Sequence, residues 1–284
     1  MTTNNISSWV AEAIQQLALK SDTPGLEAQL LLAHILGWSR TQVVAHPEQL
    51  LTVEQHLALD GLLARRVAGE PLPYLLGEWE FYGLKFQVTP AVLIPRPETE
   101  LLVEVALAWL QAHPDRRRAA DVGTGSGCIA ATLAWHVPDL WLTAVDLSAT
   151  ALQVAADNFA RLGVQSRVTC RQSDLLADCR GPFDLVCANL PYIPSETLAS
   201  LPVADHEPRQ ALDGGPDGLD LIGRLLSTAP RWLAPGGLML LEIESGQGQS
   251  APELAQRLLP AALIVTLPDL AGKARLLRVE NKTP

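Results

Sequence analysis

The sequence predicts an α/β protein in which a small all-helical domain precedes a mostly parallel β-sheet. From about residue 98 onward, apolar runs of strand length alternate with stretches of helical spacing, a pattern typical of parallel sheets. Before residue 79, only helical spacing occurs. The chain has 284 residues, 48% of them hydrophobic, which is enough for two domains with buried cores.

Residues 1–78 predict several amphipathic helices. Apolar side chains recur at helical spacing from Ile6 to Leu17, and Thr23–Pro24 is typical of a helix start. Thr52 to Gln55 fits a capping box at the start of a further helix. The apolar faces of such helices either form a packing module or bind a partner, and these residues leave both interpretations open.

At Trp79 the helical spacing of apolar residues ends, and this change predicts a linker over residues 79–97. Aromatic and branched residues on both sides of Gly83 indicate a β-hairpin, and the three prolines that follow exclude a regular helix. Arg96 and Glu98 are candidates for lining a ligand site. A plain linker is the alternative.

The remaining residues, 98–284, predict the sheet domain. Its elements in chain order are a helix over 98–112, a strand ending at Asp121, a helix from Ser126, a strand over 141–146, a helix over 148–162, strands over 166–171 and 183–188, a helix over 219–233, a strand over 238–243, a last helix, and strands over 261–266 and 274–279. Residues 190–216, rich in Pro, Asp and Gly, predict an irregular stretch.

A glycine-rich turn after the first strand of this domain indicates a cofactor site. Gly123, Gly125 and Gly127 let the backbone approach a ligand at the start of a helix. Asp146 ends the next strand, where a carboxylate can accept hydrogen bonds from both hydroxyls of a ribose. The dinucleotide fingerprint requires glycine where Cys128 stands. The spacing is instead similar to that of S-adenosylmethionine-dependent methyltransferases.

The stretch Asn189-Leu190-Pro191-Tyr192 places an amide and an aromatic ring at the carboxyl end of an apolar strand, where open α/β sheets bind ligands. It resembles the N/D-P-P-Y motif of methyltransferases that act on a nitrogen conjugated to a flat group. In that family the Asn side-chain oxygen and the next backbone carbonyl accept the two N–H bonds of the nitrogen. Leu190 departs from the usual proline, but the carbonyl survives this change.

Further motifs extend over nearly the whole chain: Asp22-Thr23-Pro24 with Glu27-Ala28, residues 69–77, Phe81-Tyr82-Gly83-Leu84, residues 90–100 and residues 207–212. Together they resemble the HemK-type release factor glutamine methyltransferases. The resemblance implies a Rossmann-like class I methyltransferase sheet over 98–284. It also implies methyl transfer to the glutamine of the Gly-Gly-Gln loop of peptide chain release factors, and docking of the release factor by residues 1–78.

The same resemblance implies roles for individual residues. Contact with S-adenosylmethionine is expected from Gly123, Thr124, Gly125, Ser126, Gly127, Asp146, Leu175 and Asn189. Asn189, Leu190, Pro191 and Tyr192 are expected to hold the glutamine. Leu175 stands where family members often carry an aromatic residue, so an aliphatic contact with adenine is expected there.

Three alternative functions remain at this point: a glutamine methyltransferase acting on a ribosomal protein, a DNA adenine methyltransferase, and a catalytically silent binding module. The net charge of −10 argues against DNA, which needs a basic channel. The one basic run, Arg116 to Arg118, predicts a solvated loop. We expect a cytoplasmic monomer without a membrane segment or a metal site, because no long apolar run, signal peptide or metal-ligand spacing occurs.

Overall fold

Helices form the first unit of the chain, which ends at Glu78 in the computed structural model. The structure describes residues 5–281, and its helices in this unit are α1 (Ile6–Leu17), α2 (Pro24–Leu36), α3 (Arg40–Ala45), α4 (Val53–Val67) and α5 (Leu72–Leu76). Asn5, Ser39 and Thr52 cap α1, α3 and α4 in reciprocal capping boxes. The capping box predicted at Thr52 is therefore confirmed.

A largely buried ion pair joins α2 to α4 within this unit. Arg66 donates to both carboxylate oxygens of Glu27, at 2.8 and 3.0 Å, and the Ser21 hydroxyl donates to the same carboxylate at 2.9 Å. The exposed side-chain fractions are only 15% for Arg66 and 11% for Glu27. Removing one partner would therefore leave the other charge poorly solvated.

The second unit begins with a hairpin made by β1 (Glu78–Phe81) and β2 (Leu84–Gln87). Phe81 and Phe86 are buried in the core of this unit and pack edge to face. The side chain of Asn158 exchanges hydrogen bonds with the backbone of Gln87, at 2.7 and 3.0 Å. The segment suggested by the sequence as a linker thus contributes to the core of the sheet domain.

A seven-stranded sheet organises the second unit. Its strands are β3 (Arg118–Val122), β4 (Trp141–Asp146), β5 (Val168–Gln172), β6 (Phe183–Ala188), β7 (Leu233–Glu242), β8 (Leu263–Pro268) and β9 (Ala274–Glu280). Their order is β5-β4-β3-β6-β7-β9-β8, parallel from β5 to β7, with β9 and β8 antiparallel. The predicted fold class is confirmed. Because β3 and β6 are central neighbours, their carboxyl ends open at the same edge.

Helices cover both faces of this sheet. The longer ones are α6 (Glu100–Ala112), α7 (Cys128–His136), α8 (Ala149–Arg161), α10 (Asp220–Trp232) and α11 (Ser250–Leu258), with the single turn α9 (Ser195–Leu198) between β6 and α10. Side chains of α6, α7 and α8 share one buried cluster with the sheet, and those of α10 and α11 share the other. Within residues 5–281, no helix is long and apolar enough to cross a membrane.

Two local expectations were wrong. The run Arg116 to Arg118 is not a solvated loop. Arg116 donates to Asp184 at 3.1 Å, Arg117 donates to Asp139 at 2.7 Å, and Arg118 already begins β3. The strand predicted over 238–243 is longer and starts at Leu233, because the Pro-Gly-Gly sequence is accommodated inside β7 where its register against β6 shifts.

Candidate functional site

Asn189 follows directly after β6 and lines an open cavity at the carboxyl edge of the sheet. Its side-chain nitrogen donates to the Thr99 hydroxyl at 3.0 Å. The amide oxygen makes no hydrogen bond within residues 5–281 and remains available as an acceptor. The geometry therefore orients the amide so that its acceptor end is free for a ligand.

The next residues are held by the sheet and by neighbouring loops. Leu190 is buried, and its Cδ2 lies 3.1 Å from the place that a Cβ on Gly123 would occupy. The Tyr192 hydroxyl donates to Glu242 at 3.4 Å, and the Tyr192 carbonyl accepts from the Gln247 side chain at 3.1 Å. Leu190 and Pro191 line the cavity, but Tyr192 does not. Burial, followed by the Glu242 charge, raises the pKa of Tyr192.

The glycine turn joins β3 to α7 and forms another wall of the cavity. The backbone N–H groups of Gly123 and Thr124 both donate to the Val145 carbonyl, at 2.8 Å. Gly127 adopts φ +79°, and a Cβ there would lie 2.6 Å from the Phe159 ring. Gly127 is therefore required both by its left-handed backbone and by the packing beneath it. Gly123 to Ser126 line the cavity, whereas Gly127 supports them from below.

Two carboxylates lie at this turn. Asp146 lines the cavity and accepts from the backbone of Gly125 and of Ser148, both at 2.9 Å. Asp121 is fully buried; its Oδ2 accepts from Thr124 at 2.6 Å, and its Oδ1 has no partner within residues 5–281. Burial raises the pKa of Asp121 to about 7, while the hydrogen bonds from Thr124 and Ala130 lower it.

Of the remaining predicted residues, some line the cavity and one does not. Leu175 lines the cavity with a backbone φ of +51°, and Arg96 lines it as well. Arg96 also pairs with the buried carboxylate of Glu207, which accepts from the Ile94 backbone at 3.1 Å. Glu98 is exposed and does not line the cavity, and its role at the site stays a prediction. Glu98 and Thr99 belong to the same 3-10 turn, Pro97–Thr99, in which Thr99 is buried and Glu98 is exposed.

Sequence reasoning missed three residues that the structure places at this site: Thr99, Glu207 and Glu242. Burial raises the pKa of Glu242 to about 7, opposed by Thr99, Arg275 and Tyr192. Glu242 ends β7, next to the strand that carries Asn189. Because the carboxyl ends of neighbouring parallel strands meet at one edge, the position of Glu242 at the end of a predicted strand could have identified it from the sequence.

The chemistry of the cavity fits the S-adenosylmethionine predicted from the sequence. Asp146 and Asp174 are on its walls, and the unpartnered oxygen of Asp121 lies at the base of the glycine turn. Arg96 is the only cationic side chain among the described lining residues, and Glu207 pairs with it. Aliphatic side chains, including Leu147 and Leu175, complete the walls. Such a site favours a cationic sulfonium with a ribose and a flat apolar base.

Two family models match the chain. The PrmC N-terminal domain matches residues 8–77, and the methyltransferase small domain matches residues 98–202. The first match lies within the helical unit and the second within the sheet unit.

Curated relatives align over nearly their whole length. The release factor glutamine methyltransferase of Moorella thermoacetica is 44% identical over 94% of this chain and 95% of its own. The enzyme of the same name from Bordetella pertussis is 42% identical over 93% of this chain and 97% of its own. A solved T. thermophilus 16S rRNA N2 G1207 methyltransferase in complex with AdoMet and guanosine is similar in fold alone, with 16% identity, a TM-score of 0.51, and coverage of 72% of this chain and 50% of its own.

Proposed function

The chain belongs to the release factor glutamine methyltransferase family, and we propose that it transfers a methyl group from S-adenosylmethionine to the side-chain amide of a release factor glutamine. The observation that carries this proposal is the orientation of Asn189, whose amide oxygen is left free beside the cavity. Family membership does not favour the alternatives, which were methylation of a ribosomal protein and methylation of adenine in DNA.

Residues of the cavity wall would hold the methyl donor. We assign this role to Gly123, Thr124, Gly125, Ser126, Asp146, Leu175 and Asn189, which line the cavity, and to Gly127, which packs beneath them. The Asp146 carboxylate is fixed by two backbone donors and keeps lone pairs for the ribose hydroxyls. When bound, S-adenosylmethionine supplies an electrophilic methyl group on a positively charged sulfur.

Asn189, Leu190 and Pro191, which line the cavity, would hold the glutamine amide, and Tyr192, which does not line it, stays a predicted member of this group. The amide nitrogen is a poor nucleophile because its lone pair is delocalised into the carbonyl. Acceptance of its two N–H bonds by the Asn189 oxygen and the Leu190 carbonyl would orient the lone pair toward the donor and raise electron density on nitrogen. Orientation of this kind supplies about 7–11 kcal/mol in ideal intramolecular reactions.

Residues 1–78 would dock the release factor. This unit carries a PrmC N-terminal domain match, and its sequence holds 4 Lys and Arg against 8 Asp and Glu. An acidic surface suits a protein partner better than a nucleic acid. We further propose that the enzyme acts as a cytoplasmic monomer that does not bind DNA; tight duplex binding in a gel shift at low salt would contradict the last point.

A tritium-transfer assay tests the proposed function. Purified release factor is incubated with the enzyme and S-adenosyl-[methyl-³H]methionine, and the Gln→Ala variant of the Gly-Gly-Gln loop serves as the matched acceptor. Label is expected in the wild-type release factor and not in the variant. Equal labelling of the two proteins would contradict the proposed acceptor, and no label in either would contradict the proposed substrate.

Asn189→Ala tests the acceptor role of the amide. Turnover is expected to fall by roughly 100-fold or more, because the acceptor nitrogen loses its orientation. The dissociation constant for S-adenosylmethionine, measured by calorimetry, is expected to change far less. If cofactor affinity falls as much as turnover does, Asn189 serves the cofactor and not the acceptor.

A further inference from the structure

The charged side chains that face the cavity are few. Among the described residues that line it, Arg96 is the only cation, and Asp146 and Asp174 are the only carboxylates. Asp174 accepts from Arg224 at 2.7 Å, in a pair whose side chains are both about half exposed. Asp146 accepts hydrogen bonds from backbone N–H groups and makes no ion pair within residues 5–281. The net charge of the cavity therefore depends on how the charge of Arg96 is compensated.

Glu207 compensates the charge of Arg96 from outside the cavity wall. Its side chain is 3% exposed, and it does not line the cavity. One carboxylate oxygen accepts from the Arg96 guanidinium, and the other accepts from the Ile94 backbone N–H at 3.1 Å. A carboxylate fixed in this way cancels most of the field of the guanidinium that it pairs with. Asp146 is then left as the one unpaired charge of the wall, and that charge is negative.

The methyl donor and the product of methyl transfer differ by one charge. S-adenosylmethionine carries a sulfonium, an ammonium and a carboxylate group, so its net charge is positive. S-adenosylhomocysteine lacks the sulfonium charge and is neutral overall. A cavity with one unpaired negative charge favours the positive ligand, whereas an uncompensated guanidinium in the wall would repel it.

We propose that Glu207 is a specificity-determining residue, which keeps the cavity selective for the positively charged methyl donor over the neutral product by pairing with Arg96. The inference rests on the proposed cofactor site and does not involve the acceptor. The Arg96 side chain is 36% exposed, so water screens part of its charge and the effect on affinity is moderate.

Calorimetric titration of the full chain tests this selectivity. The dissociation constants of S-adenosylmethionine and S-adenosylhomocysteine are compared in wild type and in Glu207→Gln, whose amide oxygen can still accept from the Ile94 N–H. Affinity for S-adenosylmethionine should fall by roughly 3- to 30-fold relative to affinity for S-adenosylhomocysteine, the range for unit charges several ångströms apart at a partly solvated site. An unchanged ratio of the two constants would overturn the proposal.

Sinefungin separates the effect of charge from that of the methyl group. This analogue carries an amino group, protonated at neutral pH, in place of the methylated sulfur. Its affinity for Glu207→Gln should fall together with that of S-adenosylmethionine. A loss confined to S-adenosylmethionine would overturn the electrostatic reasoning, because both ligands carry the extra positive charge.

Arg96→Met should shift the ratio in the opposite direction. This variant removes the cation and leaves the Glu207 carboxylate without its guanidinium partner, so the cavity becomes more negative. The double variant Arg96→Met with Glu207→Gln is neutral at both positions and should return to the wild-type ratio. A disturbance of packing alone would weaken the binding of all three ligands together. Ratios that move in the same direction in both single variants would overturn the proposal.

Glu253→Gln is the matched control for the loss of one negative charge. Glu253 is exposed on α11 and does not line the cavity. This variant should keep the wild-type ratio of dissociation constants. A change as large as that in Glu207→Gln would show that the overall charge of the protein, and not the pair with Arg96, sets the selectivity.

The outcomes separate this inference from the proposed function. Wild type that binds S-adenosylmethionine but methylates no release factor would contradict the proposed function, while the ratios still decide the role of Glu207. Wild type that binds none of the three ligands would contradict the cofactor site and this inference together. Melting temperatures measured without ligand show whether a variant is folded. If Glu207→Gln is not, the opposite shift in Arg96→Met and its reversal in the double variant decide the question.

Discussion

Gly127→Ala should destabilise the sheet domain through a specific steric conflict. An added Cβ would lie 2.6 and 2.8 Å from two ring atoms of Phe159 and 3.1 Å from the Ala155 Cβ. Phe159 is 1% exposed and belongs to the core cluster below the glycine turn. At these distances either the buried ring or the turn must shift.

The expected cost has two parts. A left-handed backbone costs an alanine about 1–2 kcal/mol relative to glycine. Overpacking of a filled core adds about 1–3 kcal/mol. Gly127→Ala should therefore lower the free energy of unfolding by about 2–5 kcal/mol, the sum of those two ranges. Because the glycine turn lines the cavity, affinity for S-adenosylmethionine should fall as well.

Gly163→Ala is the matched control for this measurement. Gly163 has φ +70°, close to the +79° of Gly127, but an added Cβ there meets nothing within 4 Å. Its cost should be the backbone part alone, about 1–2 kcal/mol. Both glycines lie in the second unit, and the entropy that alanine removes from the unfolded chain is common to both variants.

Urea unfolding, followed by circular dichroism, measures the difference between the two variants. A shift in the midpoint at constant slope reports stability. The Gly127 variant should be less stable than the Gly163 variant by about 1–3 kcal/mol. Equal stability of the two would refute the steric argument, since it would mean that the Phe159 ring moves aside without cost.

Three further predictions concern other contacts. Arg66→Leu should lower the unfolding free energy by about 3 kcal/mol, because Glu27 remains buried, and Glu27→Leu combined with it should recover most of that loss in thermal melts. Asp146→Ala should weaken S-adenosylmethionine binding, measured by calorimetry, by about tenfold to a hundredfold, because hydrogen bonds to a charged acceptor contribute about that much. An unchanged affinity would refute the role of Asp146 in binding the ribose. Leu190→Ala should cost about 2–3 kcal/mol in urea unfolding but reduce turnover far less than Asn189→Ala, because the backbone carbonyl remains; equal activity losses would show that the side chain is needed.

The sheet was predictable because each of its strands can be recognised from a short stretch of sequence. Parallel strands that are buried on both faces form continuous apolar runs, as in Phe183–Ala188, and their connecting helices are amphipathic. The glycine turn and Asp146 were predictable for the same reason, since each sits at a fixed place relative to a strand end. Local sequence is therefore enough to locate one side of the cavity.

Thr99 and Glu207 were harder to find because their contacts are not local in the sequence. Thr99 lies in a short 3-10 turn and bonds Asn189, 90 residues away in the sequence. Glu207 lies in an irregular segment and accepts from Ile94, 113 residues away. Glu98 and Thr99 are adjacent, and the turn decides which of the two faces inward. Such a choice depends on tertiary packing, which spacing alone does not encode.

The central position of β6 determines how the site opens to solvent. Backbone amides of a strand with parallel neighbours on both sides exchange with deuterium only when the sheet itself opens. Residues 190–216 contain the single turn α9 and two short 3-10 helices, and amides in such short elements can exchange through local opening. Asn189 follows β6 directly, while Pro208 and Gln210 line the cavity from the irregular segment. We therefore expect the backbone amides of β6 to exchange with deuterium more slowly than the backbone amide of Gln210.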